Sequence, residues 1–317
     1  MIKRTIEISR EPAHLTVQLE QLLLKRDGQT VASIPCEDVG VVLVDHPGTT
    51  YSHAALAQLA SVDAAVVVCG RDHLPAAILL PLADHSQVVW RVRDQVALAG
   101  PLRKQLWKQI VQAKIRAQAA NLSAGPARTR LLELARTVRS GDPKNHEAQA
   151  SRVYWSAFFE SIAFRRDRFG DGPNPLLNYG YAVLRAAIAR AIVAAGLLPS
   201  LGIKHSNRAN AFCLADDLIE PLRPLVDARV KELLANERNE LDQQTKAALL
   251  ELLTIETQVG DETGPLMVNL HRMVASLVKC FQGKAKAIEF PEPLKADSPN
   301  AESRIPTPDS PAPVPCN

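Results

Sequence analysis

Short apolar runs separated by turn signals fill the opening third of the chain, and longer runs with helical spacing follow them. The segments "TIEIS", "LTVQLEQLLLKR", "TVASIP", "VGVVLVDH" and "AAVVVCG" carry extended patterns, with Asp27-Gly28 and Pro47-Gly48 as turn signals between them, so a small sheet is expected here. "SHAALAQLASV" interrupts this series as a short helix with Ser52 as its cap. From "PLRKQLWKQIVQAKIRAQAANL" onward the pattern turns helical, with Leu106, Ile110 and Ala117 in one apolar stripe, which puts a domain boundary between residues 85 and 101. "PLLNYGYAVLRAAIARAIVAAGLLPSLG" predicts a helix buried in a bundle, and "ALLELLTIETQVG" and "PLMVNLHRMVASLVKCF" predict two more.

The pattern predicts an α+β protein: a β-rich domain over residues 1–88, a helical domain over 89–288 and a flexible tail over 289–317. Pro291, Pro293, Pro299, Pro306, Pro308, Pro311, Pro313 and Pro315 rule out a continuous helix in that tail. Composition narrows the picture further. With 46% hydrophobic residues the chain can bury a core, but at 4% aromatic residues it is poor in stacking platforms for single strands. A net charge of +3 steers polyanions weakly, so a nucleic-acid site must come from local clustering. Cys36, Cys69, Cys213, Cys280 and Cys316 are too scattered for a disulfide framework or a thiolate zinc site. The charged N-terminal "MIKRTIEISREP" and the expected lack of a run approaching a membrane span point to a cytoplasmic protein without a membrane partner.

The chemistry-bearing residues are dispersed. In "LGIKHSNRANAFCLADDLIEPLRP", Asp217 and Glu220 are spaced for one helix face, with Asp216 competing, and His205 offers an imidazole just before them. "NHEAQASRVYW" supplies Glu147 on another helix, next to His146. Carboxylates brought together could hold a hard divalent cation, yet each taken alone is equally compatible with a solvated helix edge. Arg152, Lys204, Arg208 and the cluster Arg165, Arg166 and Arg168 are suited to phosphate contacts or to ordinary salt bridges, and Lys104, Lys108 and Arg116 to a solvated face. Asn178 is suited to a helix-start hydrogen bond, and Asp45, His46 and His53 to loop bonding. There is no Walker loop and no histidine-and-two-cysteine deaminase pattern.

In that order, "NHEAQASRVYW", "PLLNYGYAVL" and "LGIKHSNRANAFCLADDLIEPLRP" together resemble the CRISPR-associated Cas-one family, closest to its type II members, over residues 1–288. The resemblance implies a β-rich dimerisation and assembly domain and a helical catalytic domain. It implies Glu147, His205 and Glu220 as ligands of Mg2+ or Mn2+, with Asp217 as a supporting acid or alternative ligand. It implies an integrase/endonuclease that inserts protospacer DNA into a CRISPR array by attack of a 3′-hydroxyl on leader-repeat phosphodiesters. It further implies a homodimer, a complex with the smaller Cas-two protein, and type II effector and adaptation partners. Relatives commonly carry glycine where Ala148 follows Glu147, which leaves the local turn as a departure from the family pattern. The residues alone also fit a metal-dependent phosphohydrolase or a nonenzymatic nucleic-acid-binding assembly protein.

Overall fold

The computed structural model describes residues 3–71, 73, 75–82, 85–159, 164, 166–167 and 169–294. The N-terminal region holds β1 (Arg4–Ile8), β2 (His14–Gln18), β3 (Gln21–Arg26), β4 (Gln29–Pro35), β5 (Val39–Val44), β6 (Thr50–Tyr51), α1 (His53–Ser61), β7 (Ala65–Cys69) and β8 (Pro75–Leu79). They form two four-stranded sheets, in the orders β1-β5-β7-β8 and β4-β3-β2-β6. Strands β1, β5 and β7 run parallel, and β8 returns antiparallel as an edge strand that the sequence pattern did not predict. The Ser52 hydroxyl accepts the Ala55 amide at 3.1 Å and starts α1 as its sequence predicts.

Strand β5 explains why "VGVVLV" is apolar without interruption. Val42 and Val44 face the core shared by the two sheets, while Val41 and Leu43 join the core of the helical region. A strand covered on both faces has no position to spare for a polar residue.

The helical region comprises α2 (Val88–Val96), α3 (Gly100–Ala120), α4 (Pro126–Thr137), α5 (His146–Phe158), α6 (Asn174–Ala194), α7 (Cys213–Ile219), α8 (Arg223–Ala235), α9 (Gln243–Leu250) and α10 (Leu266–Phe281). Helix α6 is its central element. A Cβ added to Gly180 would lie 2.4 Å from Val226 Cγ1, so glycine here sets how closely α6 approaches α8. By length and composition α6 could cross a bilayer, so the expectation that no run approaches a membrane span is corrected; 83% of its apolar stretch is buried inside the fold.

Two further expectations change. "ALLELLTIETQVG" is not one helix: α9 ends at Leu250, and β9 (Glu256–Val259) pairs with β10 (Glu262–Pro265). Thr257 and Val259 are buried while Glu256 and Gln258 are exposed, an alternation that belongs to a strand. The ordered chain also continues past residue 288. Ile288 N–H donates to Gln109 Oε1 at 2.9 Å, and β11 (Glu292–Pro293) pairs with β9. Residues 295–317, the rest of the Pro-rich segment, lie outside the described residues.

Candidate metal centre

The N-terminus of α5 is built before its acid is placed. Asp142 accepts the amides of His146 and Glu147 at 2.9 and 3.0 Å and also takes His146 Nδ1 at 3.0 Å. Asn145, in the left-handed region with φ 52°, accepts the Ala148 amide at 3.3 Å. The left-handed backbone therefore falls on Asp142 and Asn145, and Ala148 lies inside the helix, where it needs no glycine freedom. His146 is buried as part of this start, and its Nε2 is 3.3 Å from Thr137 Oγ1.

Glu220 arrives from a different direction, at the junction where α7 gives way to a single turn, Glu220–Leu222, that leads into α8. The two glutamates meet on one ammonium: Lys114 Nζ lies 2.6 Å from Glu147 Oε1 and 2.5 Å from Glu220 Oε2. The second contact is an ion pair outside hydrogen-bonding angles, which leaves the buried Oε2 without a hydrogen bond. Arg223 Nε donates to Glu220 Oε1 at 2.9 Å. Burial alone would raise the Glu220 pKa, but Arg223 and Lys114 outweigh it and bring it down to about 2. Burial would likewise lower the Lys114 pKa, but the charges of Glu220 and Glu147 outweigh that and raise it.

Sequence reasoning missed Arg223 and, between the two glutamates, Lys114. Lys114 lies on α3 at the same four-residue spacing as Leu106 and Ile110, a lysine within an apolar stripe, and it is buried. That misplaced charge was the available signal.

The imidazole is held by a cradle. Asp217 Oδ2 accepts the amides of Ile203 and Lys204 at 2.6 and 2.9 Å, and Oδ1 accepts the His205 amide at 3.2 Å and pairs with His205 Nδ1 at 2.6 Å. Four donors match the roughly four acceptor positions of a carboxylate, so Asp217 positions the ring and has none left for a metal. Only hydrogen fits at Gly202, where a Cβ would lie 2.4 Å from His205 O and 2.8 Å from Asp217 Oδ2. Trp107 meets the imidazole edge-on, with centroids 5.8 Å apart. With Nδ1 committed to Asp217, Nε2 is the nitrogen free to bind. The bond with Asp217 raises the His205 pKa, burial opposes the rise, and the Asp217 and Glu220 charges add to it.

Among the described residues, no three His, Cys, Asp or Glu side chains converge on one point as they stand. The structure joins Glu147 to Glu220 through Lys114 and sets His205 within electrostatic reach of Glu220. Two carboxylates that already share one cation, plus an imidazole with its outer nitrogen free, suit a hard divalent ion.

Behind this centre, Asp227 ties three helices together. It accepts Tyr154 Oη of α5 at 3.0 Å and Tyr181 Oη of α6, and Arg223 lies 4.6 Å over the Tyr181 ring. Burial drives the Asp227 pKa up to about 7 against these donors.

The remaining sequence candidates separate. Asp216 turns away to Arg185 Nε at 2.9 Å and Asn210 Nδ2 at 2.6 Å. Arg152, Lys204 and Arg208 are exposed. Arg166 is engaged within the protein, donating to Asn174 and Asn178 Oδ1 at 2.9 and 2.6 Å beside the Tyr181 ring. Arg165 and Arg168 lie outside the described residues. Asp45 and His46 do not gather with His53: Asp45 binds Lys246 and His73, and His46 Nδ1 accepts the Gly48 amide at 3.0 Å.

Comparison with known proteins places the chain in a family. The family model described as CRISPR associated protein Cas1 matches residues 6–255. The chain is 37% identical over 289 residues to a CRISPR-associated endonuclease Cas1 from Neisseria meningitidis serogroup C (strain 8013), covering 89% of this chain and 94% of that relative. In fold it is similar to a casposase bound to integration product, with TM-score 0.75 at 17% identity and coverage of 97% and 96%. It is also similar in fold to a chain of a Cas6-RT-Cas1–Cas2 complex, with TM-score 0.72 at 16% identity, covering 90% of this chain and 35% of that one. With the family model and the long alignment at this identity, the chain belongs to the CRISPR-associated Cas1 family.

Proposed function

We propose that this protein is a DNA integrase and endonuclease of CRISPR spacer acquisition, with Glu147, His205 and Glu220 as ligands of a divalent metal ion. The observation that carries this reading is the meeting of Glu147 and Glu220, from distant parts of the chain, on one buried cation position. Magnesium or manganese bound there would lower the pKa of an attacking hydroxyl and neutralise charge developing on the phosphate.

The chain's own groups prepare that step. Arg223 keeps Glu220 ionised, and Asp217 fixes the imidazole with Nε2 outward. The 3′-hydroxyl of a protospacer attacks a phosphodiester at the leader-repeat junction of the array. One P–O bond forms as another breaks, the hydroxyl proton leaves to solvent, and the displaced array strand ends in a 3′-hydroxyl after taking up a proton. A second attack at the far end of the repeat completes insertion. No covalent enzyme intermediate is needed, so placing the two DNAs is the larger task. The exposed Arg152, Lys204 and Arg208 supply phosphate contacts for it. Residues 1–88 serve dimerisation and assembly with Cas2, and 89–288 carry the chemistry.

The test is strand transfer in an assembly reconstituted with Cas2, leader-repeat DNA and Mg2+ or Mn2+, with the joined strands mapped. Glu147→Ala, His205→Ala and Glu220→Ala should each lose joining while keeping a native circular-dichroism spectrum. Wild-type joining by a folded Glu220→Ala assembly would remove the site assignment.

A further inference from the structure

Lys114 occupies the position on which the metal centre depends. Its ammonium touches one oxygen of each glutamate, and its side chain is 9% exposed. A hard cation bound by both carboxylates at the usual length of about 2.0–2.1 Å would compete for the same space. Two cations cannot share that position at so short a range, because their repulsion is least screened where water is excluded.

Four of the charges pair off: Lys114 and Arg223 balance Glu147 and Glu220 while the ammonium is in place, beside the Asp217–His205 pair. A divalent ion entering this set displaces the ammonium from its carboxylates and leaves a surplus of positive charge. Phosphate groups are the ligands that cancel such a surplus.

We infer that Lys114 is an internal counter-cation that keeps the two-glutamate site closed to metal until DNA phosphate arrives, so that metal and DNA bind cooperatively. The inference rests on the assignment of Glu147 and Glu220 as ligands. It makes Lys114 a positioning residue that acts through the metal site, and it requires reciprocal coupling: DNA must tighten metal binding by the same factor as metal tightens DNA binding.

The test is Mn2+ affinity of the full chain, read from the electron paramagnetic resonance of free Mn2+. It is measured with and without a DNA duplex ending in 3′-dideoxynucleotides, which cannot be joined. For the wild type, the duplex is expected to tighten Mn2+ binding about tenfold or more. Lys114→Met and Lys114→Gln are expected to bind Mn2+ about tenfold tighter than wild type without DNA, and to lose most of the gain from DNA. Folded variants that bind Mn2+ no tighter than wild type would overturn the inference. If neither variant folds, the wild type decides alone, and equal Mn2+ affinity with and without duplex overturns it. Glu220→Ala separates the two readings. If it weakens Mn2+ binding while the Lys114 variants leave it unchanged, the ligand assignment stands and only the gating role fails. If it leaves Mn2+ binding unchanged, both fail.

Discussion

Asp217 and His205 divide structure from chemistry between two side chains. His205 is half-exposed and its removal leaves Asp217 with three backbone donors, so His205→Ala is expected to lose strand transfer at a melting temperature close to wild type. Asp217→Ala strips the acceptor from three amides and is expected to lower stability by about 2–4 kcal/mol as well as abolish joining. Thermal denaturation of the two variants side by side checks this, and equal melting temperatures would show that the cradle is not structural. The same pair sets a pH dependence. Because the folded imidazole pKa is raised, the charged ring stabilises the fold below the ordinary value of about 6.5. That contribution fades as pH climbs through the raised value. Metal needs the neutral ring, so Mn2+ affinity is expected to weaken in acid from a higher pH than an ordinary imidazole would dictate. Asp217→Asn should move that acid limb downward; a limb that stays put argues against His205 as ligand.

Among helices, the site depends on how closely neighbours approach. Gly180 lets α6 press against α8, whose first residue is Arg223, the partner of Glu220. Gly180→Ala gains roughly 1 kcal/mol of helix propensity, but its methyl collides with Val226 and overpacking typically costs about 1–3 kcal/mol. A net loss of stability is expected in chemical denaturation. Adding Val226→Ala should recover part of that loss, because the two positions are in contact and their effects are coupled; additive losses would show that the contact is not the cause. Asp227 bonds α5 and α6 to α8 at the same junction. Its pKa is raised from 3.8 to about 7, so the folded state holds this proton more tightly than the unfolded chain. Its contribution to stability therefore falls as pH rises from about 3.8 to about 7. Asp227→Asn, which cannot titrate, is expected to flatten that part of the melting-temperature profile.

For the whole molecule, the decisive contacts are those that join the β-rich region to the helices. Asp45 at the end of β5 pairs with the buried Lys246 of α9, and Arg190 of α6 donates to Asp63 O after α1 and meets His271 at 2.9 Å. Together with Val41, Leu43 and Val67, which face the helical core, they make the two regions share an interior. Asp45→Ala leaves a buried ammonium unpaired and is expected to cost about 3–5 kcal/mol. A second change, Lys246→Met, should return part of that loss, because an apolar side chain needs no partner there. Denaturant titrations of the single and double variants check it, and an unchanged midpoint in Asp45→Ala would show that the pair is not a clamp.

The sequence by itself determined the architecture and, through the family resemblance, the proposed metal ligands. Short apolar runs marked β1, β4, β5 and β7 and, as one undivided run that the structure folds into a hairpin, β2 and β3; Ser52 marked the start of α1, and helical patterns marked α3, α5, α6 and α10, because these signals act between residues a few positions apart. The ordered motifs singled out Glu147, His205 and Glu220. Local pattern failed at β9, where a helix-like apolar run ended in strand residues, and at β8 and β11, whose strand pairing is supplied by distant neighbours. Tertiary structure alone decided that Asp217 is consumed in the His205 cradle, that Asp216 and Arg166 are engaged elsewhere in the protein, and that Glu147 and Glu220 meet on Lys114. The reason is physical: whether a charge is solvated, capped or paired depends on which helices pack against it, and spacing along one chain segment carries no record of that packing.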